Sequence, residues 1–350
     1  MKNMRGIILG ILIIFLLALP AFSQQHHEFK DLASITETMF DSLMGALPFN
    51  STVGLNWSDA FIGQIPPHFG IGVSAGYTTV DFNSISNLVG LFSRHIPYSD
   101  NDFHRDMGFP LIAYTAEFRL GGIIVPIDIG FKFGFLKPDF SQNLTESIYA
   151  SSAGFKVNYM LIGGDFRYAF IDKKVFPLKL SFGVGLNYLD GGIGLPPQAY
   201  SDSITFEDTA KGIELKHSIP QLDINWNTFN IEMKTQVSFP FQFITPYAGA
   251  GLGYAISEAK FIVKTDDVEL NGLEVTDLAN VAILEILKDD YNITEVSKEG
   301  YESVRKFTSF NMRLFGGFSF NLVYIRLDIT GMFNILSKDY GATVGVRFQQ

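Results

Sequence analysis

The residues able to do chemistry in this 350-residue chain are few. It has no cysteine, so it can form no disulfide, thiolate metal site or thiol nucleophile. Its imidazoles are His26, His27, His68, His95, His104 and His217. A hydrolase would need one of them beside a serine or between carboxylates. Only His95, His104 and His217 fall in polar connecting segments suited to that, and no spacing singles them out. Asp100, Asp102, His104 and Asp106, in SDNDFHRD, resemble a calcium loop but lack its turn glycine and bidentate glutamate. Gly249-Ala250-Gly251-Leu252-Gly253 imitates a nucleotide loop without the following helix or acidic partner. The expectation is no enzyme, no metal and no cofactor. A formal net charge of -10 excludes nucleic acid as the main partner, because neutralising phosphates takes a basic surface.

A second set of charges is more informative, because it sits at alternate positions in apolar runs. It comprises Glu117, Arg119, Asp128, Lys132, Lys156, Asp165, Arg167, Lys179, Glu232, Lys234, Arg313, Arg326, Asp328 and Arg347. Nine are basic and five acidic, although the chain as a whole is acidic. Two chemistries fit such a set on one enclosed face: salt-bridged pairs filling an interior, or a narrow wet path with a mild preference for anions.

The elements that must position these charges are strands. Ile123, Val125, Ile127, Ile129, Phe131, Phe133 and Phe135 alternate with Asp128, Gly130, Lys132 and Gly134. Phe229, Ile231, Met233, Val237 and Phe239 alternate with Asn230, Glu232, Lys234, Gln236 and Ser238. A strand sends successive side chains to opposite faces, so each run has one greasy and one polar or glycine face. Many runs extend over 10–15 residues, beyond the usual soluble strand of about 5–6 and long enough for a tilted membrane strand of about 9–11. Aromatics mark the ends of the greasy faces, and Phe (34) and Gly (33) are abundant. Tight turns at Gly121-Gly122, Asp172–Lys174 and 321–322 alternate with long polar stretches near 81–109, 136–153, 190–221 and 257–306. Ten runs result: 69–80, 110–120, 123–135, 155–170, 175–189, 223–239, 244–256, 307–320, 322–334 and 339–348. One run changes parity: Tyr159 and Leu161 share the greasy positions before Gly163-Gly164, whereas Phe166, Tyr168 and Phe170 hold them afterwards. A bulge at Gly163-Gly164 is the expected cause.

Residues 1–23 read as a cleaved signal peptide, with Lys2 and Arg5, the apolar core 6–19, Pro20 and the small-x-small site Ala21-Phe22-Ser23. Fourteen helical residues span about 21 Å, short of a bilayer core of roughly 30 Å.

With that leader, long alternating strands and a last run ending near Phe348, the chain resembles bacterial outer-membrane β-barrel proteins of the porin-like or small-barrel type. It is somewhat similar to the Phe-rich barrels of spirochaetes. Gln349 and Gln350 after Phe348 depart from the terminal aromatic common in that class. The resemblance implies an all-β transmembrane antiparallel up-and-down barrel of about 10 strands (eight to twelve) in the bacterial outer membrane. It also implies contact with outer-membrane lipid and with the barrel-assembly machinery. An even count places both ends in the periplasm.

Two segments are helical instead. In residues 28–47, Phe29, Leu32, Ile35, Met39, Leu43 and Leu47 share one face. The segment is expected to be a plug entering from the periplasmic end, or else a periplasmic cap. Residues 276–288, with Thr276 as N-cap and Val281, Leu284 and Leu287 too apolar for open water, form a lid over the mouth or a self-contained loop core. Residues 51–57 read as an extra strand or a luminal segment. The organisation is signal peptide 1–23, lead-in 24–68 and barrel 69–350. The expected function is a narrow or gated conduit for small or amphipathic solutes; the alternative is a closed structural or adhesin-like barrel using its long outer loops.

Overall fold

The computed structural model describes residues 25–59, 68–92, 108–121, 126–136, 156–172, 178–195, 203–218, 221–265, 268–275, 281–297 and 299–349. The signal peptide, His95, His104, the 100–106 segment and Thr276 lie outside these residues.

In chain order, the described elements begin with β1 (Gln25–Glu28), α1 (Phe29–Ser51), β2 (His68–Val80), α2 (Phe82–Phe92), β3 (Phe109–Gly121) and β4 (Ile127–Leu136). There follow β5 (Lys156–Asp172), β6 (Lys179–Leu195), β7 (Ser203–Asp208), β8 (Ile213–Ser218), β9 (Gln221–Ser238) and β10 (Ile244–Lys264). The chain ends with β11 (Val268–Leu270), β12 (Leu273–Glu274), α3 (Val281–Tyr291), β13 (Glu295–Ser297), β14 (Gly300–Leu322), β15 (Ile325–Asn334) and β16 (Tyr340–Gln349).

Ten of the strands close into an antiparallel barrel in the order β2-β3-β4-β5-β6-β9-β10-β14-β15-β16, with β16 pairing back onto β2. Closure leaves no sheet edge around the belt, which is what a strand protein needs where water cannot satisfy backbone groups. No described helix is long and apolar enough to cross a membrane. The greasy face points outward: Phe131 is 58% exposed, and Phe133, Phe318 and Val344 stand in the same belt. The aromatic pair Tyr324–Phe348 edges the short-turn end, and Phe333–Tyr340 the other.

At the long-loop end β6, β9, β10 and β14 run past the belt. There they meet a small sheet, β1-β7-β8-β11-β12, with α3 beside it, forming a dome. Residues 81–109 are not all loop: they open with α2, whose first turn is capped by Asp81 accepting from the Ser84 backbone N–H (3.0 Å) and hydroxyl (2.7 Å).

Inside, the barrel has two storeys. Near the short turns the inward face is polar, with Glu117, Arg119, Asp165, Arg167, Glu232 and Lys234 buried. Toward the dome the same parity becomes apolar: Leu111 and Ala113 on β3, Tyr159 and Leu161 on β5, Leu189 and Ile193 on β6, and Ile224 and Trp226 on β9 are all buried. This corrects the expected bulge. β4 and β5 stay in register through Gly163 and Gly164, and Tyr159 and Leu161 point inward with Asp165 and Arg167. Both faces of upper β5 are apolar because lipid covers one and the other faces the apolar interior that α1 shares. The register shift in this strand lies instead between Ala169 and Ile171.

Leu161→Ala should therefore cost about 2–5 kcal/mol, as a packed core site does. Ile162→Ala should stay within about 1 kcal/mol, because lipid tails fill the space left outside. Urea unfolding in lipid vesicles measures both; equal tolerance at the two positions would restore the bulge.

Candidate functional site: the occupied lumen

Helix α1 fills the apolar storey. Phe29, Leu32, Met39 and Leu43 are buried, and Ile35 is half-buried against the same core. At its start Phe29 stacks on Tyr291 at the end of α3 (centroids 5.0 Å apart) and lies 6.0 Å from Phe206 of β7, so the helix begins in the dome. β1 reaches the same place, pairing in parallel with β7. Twenty-three helical residues cover about 35 Å. The helix ends inside the barrel, where Asn50 donates to the Thr78 hydroxyl (2.8 Å) and to the Leu111 carbonyl (3.1 Å). The segment thus enters from the long-loop end, not from the periplasmic end expected for it. The reason is complementarity: an apolar helix face fits the apolar storey, and its carbonyl end meets the cationic one.

A C-terminal helix end carries unsatisfied carbonyls and partial negative charge. Lys132 donates to the Ser51 (2.8 Å) and Val53 (2.6 Å) carbonyls. Asn230 donates to the Ser51 hydroxyl at 3.1 Å. Residues 52–59 then descend through the polar storey as a luminal segment, which settles the alternative left open for 51–57. Gly54 turns the chain at φ 85°, where a Cβ would lie 2.6 Å from the Thr115 hydroxyl.

Around this segment the luminal charges resolve into three groups. In the first, Asp128 bonds Arg119 (2.5 Å) and Arg167 (2.6 Å), while Asp165 bonds Arg119 (2.7 Å) and Lys234 (2.6 Å). In the second, Glu232 holds Arg313 through two contacts of 2.5 and 3.0 Å, and Arg313 also reaches the Asn56 side chain at 3.1 Å. In the third, Arg347 pairs with Asp328 (2.7 Å) and Asp59 (3.3 Å), donates to the Ser58 hydroxyl (2.6 Å), and shares Asp59 with Arg326. The descending backbone serves too: the Leu55 carbonyl accepts from Arg119 and Lys234, the Trp57 carbonyl from Gln236, and the Asp59 carbonyl from Arg167. Trp57 sits between the guanidinium carbons of Arg347 (4.7 Å from the ring centroid) and Arg119 (5.6 Å) and donates its indole N–H to Glu117. Gly70 makes room, since a Cβ there would lie 2.5 Å from the Trp57 ring.

Of the fourteen sequence-derived charges on the barrel wall, eleven are buried inside, Arg326 is partly exposed, Lys179 is half-buried at the short-turn end, and the side chain of Lys156 lies outside the described residues. Of the candidates in the second helix, Leu287 is buried under the dome, whereas the side chains of Val281 and Leu284 lie outside the described residues. His217 sits buried on β8, in a ring contact with Phe206 (6.0 Å) and Tyr301 (5.8 Å). The pattern reading missed Asp59, Trp57 and Ser58. These lie in an aperiodic stretch, and their only signal is a tryptophan and a carboxylate just before the first strand. Among the described residues no group of three or more His, Asp or Glu side chains is arranged to hold a metal ion.

A family model described as Lsa36-like matches residues 113–350. A search of curated proteins finds no match. Among solved structures, the outer membrane protease OmpT of Escherichia coli is 7% identical, with 83% of this chain and 98% of that chain covered and a TM-score of 0.37. The attachment invasion locus protein Ail of Yersinia pestis, in complex with the heparin analogue sucrose octasulfate, is 12% identical, with 81% and 99% covered and a TM-score of 0.28. A major outer membrane protein from Thermus thermophilus is 10% identical, with 81% and 99% covered and a TM-score of 0.29. The architecture stated above rests on this chain's own strand register.

Removing one partner of a buried ion pair leaves the other uncompensated. Glu232→Leu should lower stability by about 3–5 kcal/mol, and the double change Glu232→Leu/Arg313→Met should recover most of that loss. Denaturant midpoints of the two variants in vesicles decide; an undiminished loss in the double variant would mean that Glu232 matters for another reason.

Proposed function

The chain belongs to the Lsa36-like family, and we propose that it is a closed, internally plugged barrel of a bacterial outer membrane whose work is done by the dome it displays. One observation carries this reading: α1 and residues 52–59 occupy both storeys of the lumen, and the wall charges around them are spent on one another and on the segment. A filled lumen offers no standing path for solute. A ten-stranded barrel is near the size that side chains fill, far from the roughly 16 strands of open pores.

The lipid-facing belt and the expected export signal support the outer-membrane location. The dome supports the contact role. Glu28, Glu214, Glu285, Asp289, Asp290, Glu295 and Glu299 are exposed there, against exposed Lys30, Lys211, Lys264 and Lys288. Lys211 is already paired with Asp290 at 2.7 Å. This locates in the dome part of the acidity that the basic lumen lacks, and it favours a partner of positive surface charge, with attraction that weakens as salt rises. The reading is non-enzymatic: the luminal carboxylates are buried in ion pairs or, for Glu117, in hydrogen bonds from Trp57, Ser74 and Thr115, out of reach of a substrate.

The conduit role expected from the pattern requires the plug to leave. Planar-bilayer recordings test this directly. The mature chain should give no steady conductance, whereas a variant lacking residues 25–59 should conduct with a preference for anions, because its wall then exposes more cationic than anionic groups. Steady ohmic channels from the intact chain would overturn the closed-barrel reading.

A further inference from the structure

One barrel strand keeps an open edge that has no part in closing the lumen. On one side β14 pairs with β10 from Gly300 to Phe320. On the other it pairs with β13 through Gly300–Glu302 and with β15 from Arg313 onward. Between these, residues 303–311 have no ladder partner on that side among the described residues. The two flanking bonds fix which groups are left bare. The Thr294 N–H donates to the Glu302 carbonyl and the Ile335 N–H to the Met312 carbonyl, both at 2.8 Å. A residue in an antiparallel strand aims its N–H and C=O to one side, and its neighbours aim theirs to the other. Val304, Lys306, Thr308 and Phe310 therefore turn both backbone groups toward the gap, along about 20 Å of strand.

The edge is accessible. Lys306, Thr308 and Phe310 are exposed and Val304 is half-buried. Beside Thr308, Ser309 and Phe310 lies a cavity of about 630 Å³, walled on its far side by α1 and the 336–339 turn, so open space adjoins this stretch of backbone. Proteins commonly guard such an edge with a lysine or another charge. Here both cations at this level are turned aside: Lys306 to Glu258 of β10 (3.4 Å) and Arg305 to Asp41 of α1 (2.9 Å). The charge left along the gap is negative. Asp81 and Asp339 line the cavity without an ion-pair partner among the described residues, and no described lysine, arginine or histidine lines it.

We propose that β14 accepts a guest strand here: an extended, cationic peptide segment of a partner protein adds antiparallel along Val304–Phe310, in line with β13 and β15. This rests on the contact role given to the dome and names its mode, main-chain pairing, and its partner, a segment with basic residues at alternate positions. A row of bare N–H and C=O groups at strand spacing is matched by another extended backbone, which supplies the affinity, while side-chain positions supply the selectivity. Guest residues opposite Val304, Lys306, Thr308 and Phe310 face outward. Those opposite Arg305, Phe307 and Ser309 face the side of the cavity and its carboxylates, so the basic residues belong there. The gap lies on the long-loop side of the apolar belt, where a partner in solution reaches it.

The test uses the full mature chain in phosphatidylcholine nanodiscs, with empty discs as the blank, titrated with an end-capped seven-residue peptide that alternates lysine and threonine. The peptide should bind saturably, and its analogue with glutamate for lysine should not. In an antiparallel guest the threonine N–H groups face β14 and the lysine N–H groups face away. Methylating the threonine backbone nitrogens should therefore abolish binding, and methylating the lysine ones should leave it in place. Thr308→Pro removes a bare N–H that the fold does not use, so it should keep its folded mobility in heat-modifiable gels yet weaken the peptide about tenfold. Absence of saturable binding, equal binding by the two methylated peptides, or unchanged affinity in folded Thr308→Pro would each overturn the proposal. Conductance of the intact chain judges the closed barrel separately: a silent barrel that ignores the peptide would sink strand addition alone.

Discussion

Six cationic side chains buried in one closed barrel are the constraint on which the rest of the structure depends. Arg119, Lys132, Arg167, Lys234, Arg313 and Arg347 are each at most 5% exposed. Isolated in a low-dielectric interior, any of them would cost several kcal/mol. The wall itself answers with Glu117, Asp128, Asp165, Glu232 and Asp328. That leaves the balance positive, and the remainder is met by Asp59, by the end of α1 and by the carbonyls of residues 51–59. The descending segment is therefore as much a part of the barrel interior as the strands are.

This explains why the lumen has two storeys and why the plug can enter from one side only. A helix satisfies its own backbone and presents an apolar face, so it suits the part of the barrel lined by Leu111, Leu161, Ile193 and Trp226. An extended, aperiodic segment exposes its carbonyls, so it suits the cationic part. Reversing the direction would set bare carbonyls against leucines and apolar side chains against guanidinium groups. The dome then secures the outer end, with β1 on β7 and Phe29 beneath Tyr291.

The notch at the top of β14 follows from the same economy of strands. Four strands continue into the dome, while β15 and β16 stop near the belt, so the wall is uneven and α1 becomes part of it there.

Alternation with period two was enough to determine the ten barrel strands, their outward face and the inward placement of Arg119, Asp165, Glu232 and Arg313, because side-chain direction in a strand is a local property of the backbone. The apolar face of α1 was legible for the same reason. Where both faces of a strand are covered, as around Leu161, alternation vanishes, and local reasoning inserted a bulge that the register does not have. Residues 52–59 have no period at all, so Trp57 and Asp59 could not be assigned to the charges they answer. Tertiary structure alone decided the direction of the plug, the pairing of each charge and the closure of the lumen, because these depend on which distant groups share a low-dielectric space, and no spacing along the chain encodes that distance.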